Sequence, residues 1–153
     1  MVTSEQLSNI IASIGPQIDD VVRIFQGNES RWTVQFSDID IDIEFDEAEE
    51  RLHFSTVVGP LLEWRKIEIL ELLLTYSLLY KETGGVRMAM TSVGGDVVQL
   101  FDVMASRIDP GMLTEILSRL VENTKIWQAF FSAADLSATN TAPQLMLNNW
   151  FRI

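Results

Sequence analysis

Cysteine is absent from the 153 residues, which removes disulfides, thiolate nucleophiles and zinc–sulfur sites together. Histidine occurs once, at His53. No apolar run approaches the ~20 residues needed to span a bilayer. The first residues, MVTSEQLSN, lack the basic stretch and apolar core of a secretory signal, so the protein is expected to stay where it is made. Positive charge is scarce as well: 11 Lys and Arg against 22 Asp and Glu give a formal net charge of -11. Nucleic acid and anionic membranes would repel such a chain, whereas a basic partner would be attracted. A cysteine-free acidic chain is compatible with a reducing cytoplasm.

Apolar residues, by contrast, are plentiful. At 47% of the chain they exclude a disordered segment. The length fits one domain that buries about two-thirds of its unfolded surface.

Thr3 and Gln6 have capping-box spacing, and Leu7, Ile10, Ile11 and Ile14 share a face of the helix that follows, until Gly15-Pro16 stops it. Residues 17–28 read equally as strand or short helix, closed by Gly27-Asn28. Trp32, Val34 and Phe36 then alternate with polar residues, as do Ile39, Ile41, Ile43 and Phe45 with Asp40, Asp42, Glu44 and Asp46. Beyond the turn at Glu47–Glu50, Leu52, Phe54, Thr56 and Val58 face away from His53 and Ser55. These runs predict a three-stranded antiparallel meander.

Gly59-Pro60 ends the meander, and Glu63 to Lys81 reads as a helix with two apolar stripes instead of one. Ile67, Leu70, Leu74 and Leu78 form the first; Ile69, Leu72, Leu73, Tyr76 and Leu79 form the second. One stripe suffices for a helix packed on a single surface, so the second needs another partner. After Thr83-Gly84-Gly85, strands over Val86–Thr91 and Asp96–Met104 meet through Val93-Gly94-Gly95 as a hairpin. Asp109-Pro110 opens a long amphipathic helix through Leu113, Ile116, Leu117, Leu120, Val121, Trp127 and Phe131. Residues 1–134 are read as one α+β domain, and 135–153 as a polar linker with an apolar tail at Leu145, Met146, Leu147, Trp150 and Phe151. The expected fold is a twisted antiparallel sheet with helices packed on it, in the order α-β-β-β-α-β-β-α.

Chemistry-bearing signals are weak. Asp38, Asp40, Asp42, Glu44, Asp46 and Glu49 have the spacing of an EF-hand loop, but Ile43 stands where that loop needs glycine. Alternate carboxylates on a strand lie ~7 Å apart, too far to share one calcium. A solvated acidic face is the better reading. His53 fits a hydrogen-bonded strand residue better than a general base, and no G-x-S-x-G or phosphate loop is present. Trp32, Trp64 and Trp127 fit core positions better than ligand stacking, and Met88 and Met90 fit core better than an adaptable surface. No catalytic residue, cofactor or metal site is expected.

The element order, size and acidity resemble the class I (Tir-chaperone-like) chaperones of type III secretion systems over residues 3–131. The closest local likeness is Ile41–Leu61, IDIEFDEAEERLHFSTVVGPL, where an acidic strand, a charged turn and an aliphatic strand run into Gly-Pro before a leucine-rich helix. Gly84-Gly85 and the final helix with Trp127 also fit. The resemblance implies a cytoplasmic bacterial homodimer without ATPase activity, which binds the extended N-terminal segment of a secreted effector. It also gives the two-striped helix a reason, with Ile67, Leu70, Leu74 and Leu78 meeting a second subunit; the alternative buries both stripes inside a monomer.

An extended peptide gains main-chain hydrogen bonds at an open sheet edge. Candidate effector contacts are therefore Trp32, Val34, Phe36, Ile41 and Ile43 of the meander, with Leu7, Ile10, Ile11 and Ile14 as an adjoining groove. For the helix residues, plain core packing is an equal alternative. A different function remains open, an inhibitor or immunity-type module whose acidic face blocks a basic folded partner.

Overall fold

The computed structural model describes residues 2–133, which form an antiparallel six-stranded sheet and three α-helices. In chain order these are α1 (Ser4–Ser13), β1 (Val21–Asn28), β2 (Arg31–Phe36), β3 (Asp40–Asp46), β4 (Arg51–Gly59), α2 (Lys66–Leu78), β5 (Arg87–Met90), β6 (Val97–Met104) and α3 (Pro110–Ser132). Across the sheet the strand order is β1-β2-β3-β4-β6-β5. The chain forms two compact units, each assembled from two separate stretches of sequence. Among the described residues, one takes 2–56 with 101–122; the other takes 57–100 with 123–133.

In the first unit the capping box forms as expected. Thr3 Oγ1 accepts from the Gln6 amide at 3.3 Å, and Gln6 Oε1 accepts from the Thr3 amide at 3.0 Å. The alternating strands bury one face in matched rows. Trp32 lies opposite Ile43 and Ile43 opposite Phe54; Val34 lies opposite Ile41 and Ile41 opposite Thr56. Leu7, Ile11 and Ile14 are buried, and the indole Nε1 of Trp32 donates to Ser8 Oγ at 3.2 Å, which seats α1 on β2. Asp46 accepts from the amides of Ala48 and Glu49 and so holds the acidic turn. The first half of α3 buries Leu113, Ile116, Leu117 and Leu120, after Asp109 caps it by accepting from the Met112 amide at 2.8 Å.

Residues 17–28, ambiguous in the sequence, contain a fourth strand of the meander. Register shifts between Val21 and Arg23 and between Gln26 and Asn28 break the two-residue period in β1. An irregular strand at the sheet margin therefore lacks the alternation that marks β2–β4, and the element order becomes α-β-β-β-β-α-β-β-α.

In the second unit α2 lies against β5. The Ser77 hydroxyl both donates to the Met88 carbonyl and accepts from the Met88 amide. The predicted Glu63–Lys81 helix is shorter, with a 3-10 turn at Glu63–Arg65 before α2 and an end at Leu78. Gly84 and Gly85 follow at φ 64° and 95°, a left-handed path that glycine takes without strain. Tyr76 meets Trp127 edge-on at 5.3 Å between centroids, and Phe130 packs against the same indole at 5.7 Å. Beneath this lies a buried polar cluster, in which Asn123 donates to Gln99 and Gln99 donates to Thr124 at 3.1 Å.

Candidate partner-binding surfaces

Three surfaces on the described residues can meet a partner, and the first is an open strand edge. Strand β1 ends the sheet and among the described residues pairs only with β2, so its far side presents unmatched main-chain groups. Its side chains are unusually bare for an apolar strand: Val22 is 67% exposed and Phe25 is 41% exposed. Arg23 sits 5.2 Å from the Phe25 ring centroid, a cation on an aromatic face. Such an edge offers a ladder of hydrogen bonds to an extended chain and apolar contact beside it.

The second surface is an open groove of about 360 Å³ between α1 and the 3-10 turn after β6. Val2, Gln6, Asn9, Ile10, Ala105, Ser106 and Ile108 line it. At that volume it has room for one or two apolar side chains.

The third is a face of α2. Ile67, Leu74 and Leu78 are 76%, 72% and 76% exposed, and Leu70 between them is half-buried. The opposite face holds Ile69, Leu73 and Tyr76 in the core. Trp64, just ahead of the helix, is also largely exposed, which corrects its expected core position: the 3-10 turn at Glu63–Arg65 carries the indole outward and turns Arg65 inward instead.

The carboxylates do not converge. Asp40, Asp42 and Glu44 point outward from β3, where Thr33 donates to Asp42 and Arg31 pairs with Glu44 at 2.7 Å. His53 is exposed and stands across the strand from Glu44. Among the described residues no three or more His, Asp or Glu side chains are placed to hold a metal ion, and no helix is long and apolar enough to cross a membrane. Burial pushes the pKa of the Tyr76 phenol far up, and Asn123 holds it back partly. The phenol lies in the core of the second unit, away from any open surface.

The predicted contacts fall unevenly on these surfaces. Leu7, Ile11, Ile14, Trp32, Val34, Phe36, Ile41 and Ile43 are all buried in their own chain, and Ile10 alone reaches the groove. Met88 is buried and Met90 is half-buried. Ile67, Leu70, Leu74 and Leu78 share one side of α2. Sequence reasoning missed Val22 and Phe25; the available signal was the excess of apolar residues in a segment with no period to hide them. The apolar tail after Pro143 lies outside the described residues.

Comparison with known proteins fits this geometry. Residues 25–128 match the Tir chaperone protein (CesT) family. Among solved structures, the crystal structure of the ExsC–ExsE complex matches with a TM-score of 0.72 at 15% identity, covering 88% of this chain and 100% of the other. The HopA1–SchA chaperone–effector complex matches at 0.64 and 13% identity, covering 80% and 93%. The heterodimeric ExoU–SpcU complex from the type III secretion system of Pseudomonas aeruginosa matches at 0.59 and 16% identity, covering 81% and 96%. Among curated proteins, no sequence matches.

Proposed function

The chain belongs to the Tir chaperone protein (CesT) family, and we propose that it binds the N-terminal, non-globular segment of a type III secreted effector and keeps it soluble for export. The observation that carries this reading is the free edge of β1 with Val22 and Phe25 exposed beside it. An effector segment adds there as a further strand, and the α1 groove around Ile10 takes an apolar anchor from the same segment. The HopA1–SchA structure is itself a chaperone–effector complex, which supports the same use of the fold here. The acidic outer face of β3 favours a basic effector segment.

Two copies form the working unit, joined through Ile67, Leu70, Leu74 and Leu78. A stripe of this size left in water is what a homodimer contact resembles before its partner is added. The protein works in the bacterial cytoplasm and performs no chemistry: holding an unfolded segment needs edges and grooves, and the carboxylates are dispersed over a solvated face.

Co-expression with a candidate effector followed by limited proteolysis tests the reading. Protection of one N-terminal effector segment is expected, and failure to protect any segment would sink it. Val22→Lys with Phe25→Lys should cut capture roughly tenfold or more. Thermal stability should hardly change, because both side chains are already exposed.

A further inference from the structure

The sheet ends in β1 on one side and β5 on the other, and the two ends are built differently. At the β5 end, Arg87, Ala89 and Thr91 turn their main-chain groups toward β6. The Thr91 amide shows this one step past the Met90–Val97 pair, by donating to the Asp96 carbonyl at 2.9 Å. Val86 and Met88 therefore present theirs outward, and both are already occupied. Ser77 Oγ accepts from the Met88 amide at 2.9 Å and donates to the Met88 carbonyl at 3.2 Å. Thr83 Oγ1 donates to the Val86 carbonyl at 2.9 Å, and the Val86 amide donates to the Thr83 carbonyl at 3.3 Å. Ser77 and Thr83 thus fill the places that a neighbouring strand would take. Strand β5 is also only four residues long and carries exposed Arg87, two features that discourage a further strand.

The β1 end lacks this closure. It is eight residues long, and among the described residues no side chain bonds to the main chain of Val22–Gln26.

We infer that Ser77 and Thr83 close the β5 edge, so that an incoming extended segment has only β1 to join and each chain takes one. The inference rests on the proposed capture of an effector strand and adds where that strand is refused. Edge addition draws its affinity from main-chain hydrogen bonds. At β5 a strand must first break the bonds to Ser77 and Thr83, whereas at β1 no such bond stands in the way. Ser77 is a positioning residue: it never touches the segment and acts by removing the alternative edge.

Amide hydrogen exchange of the full chain, read by NMR, tests the closure without any effector. Ser77→Ala should speed exchange at Met88 roughly tenfold or more and leave Ala89, whose amide faces β6, unchanged. Ser77→Thr keeps the hydroxyl and should restore the slow rate at Met88. Equal acceleration at both amides, or none at Met88, overturns the inference. Direction is tested with a synthetic peptide carrying the effector segment that survives co-expression and proteolysis. Saturating peptide should slow amides along Val22–Gln26 of the wild type and none along Arg87–Met90, whereas in Ser77→Ala it should slow Met88 as well. Slowing at β5 of the wild type overturns the inference, as does a Met88 amide in Ser77→Ala that stays fast while β1 slows. If no segment survives proteolysis, or the peptide slows no amide in either protein, the proposed capture fails. The Met88 and Ala89 rates then decide alone whether Ser77 closes the edge.

Discussion

Arg65 is a cation almost without water. Its side chain is 1% exposed, bonded to two carbonyls at the end of α3, stacked 4.9 Å from the Phe130 ring centroid and 3.7 Å from a Glu68 carboxylate. A charge desolvated to this degree is costly unless its contacts stay intact. Arg65→Met should cost about 2–4 kcal/mol in urea unfolding. Arg65→Lys should recover little of it, because a point charge cannot serve two carbonyls and a ring as a planar fork does. Recovery of most of the loss by lysine would show that charge alone matters there. Burial of Tyr76 makes stability depend on alkaline pH. Its folded pKa is raised by burial, so below pH ~10 its contribution is fully present, and as pH rises above the unfolded value the unfolded chain ionises first. Stability should then fall by about 1.4 kcal/mol per pH unit from this group, and Tyr76→Phe should be flatter by that slope. Parallel curves for the two proteins would refute the assignment. Neither role was legible in sequence: Arg65 and Tyr76 sit in ordinary helical text, and only the fold brings Phe130 and Asn123 to them.

At the scale of elements, the two faces of α2 behave as two kinds of surface. Leu73→Ala removes a side chain that is 4% exposed and should cost 2–5 kcal/mol, as large-to-small core changes do. Leu74→Asp with Leu78→Asp should shift stability of the monomer by only about 0.5 kcal/mol per site, since both positions are in water. The same pair should abolish self-association in light scattering. A variant that still dimerises would move the contact elsewhere on the chain. The two stripes were legible because helical periodicity is strict over Ile67–Leu79 and polar residues divide them cleanly. Strand β1 was not, because its register shifts erase the period that identifies β2, β3 and β4. The candidate effector residues show a related limit. Alternation marks Trp32, Val34, Ile41 and Ile43 as one face, but whether a face meets the core or a partner depends on what the fold lays over it. Here that is α1, whose Ser8 reaches the Trp32 indole. The exposed apolar residues of the first unit include Val22 and Phe25 on an edge strand that no pattern had singled out.

At the scale of the molecule, charge and apolar surface act against each other. Each chain carries -11, so a dimer of two such chains gathers -22 while joining faces that are themselves apolar. Repulsion of this kind acts over roughly 20 Å at 20 mM salt and under 10 Å at 0.3 M, whereas contact between leucines hardly depends on salt. Added salt should therefore tighten the dimer several-fold between those concentrations. Under the proposed function, capture of a basic effector segment should show the opposite sign, because salt screens attraction to the acidic face of β3. Sedimentation for the first and stopped-flow association for the second, in the same two buffers, separate the terms. A dimer that weakens with salt would mean that ion pairs, not Ile67, Leu74 and Leu78, hold the two copies together. An association rate insensitive to salt would leave the acidic face a device for solubility, with recognition in the proposed function resting on β1 and the groove at Ile10 alone.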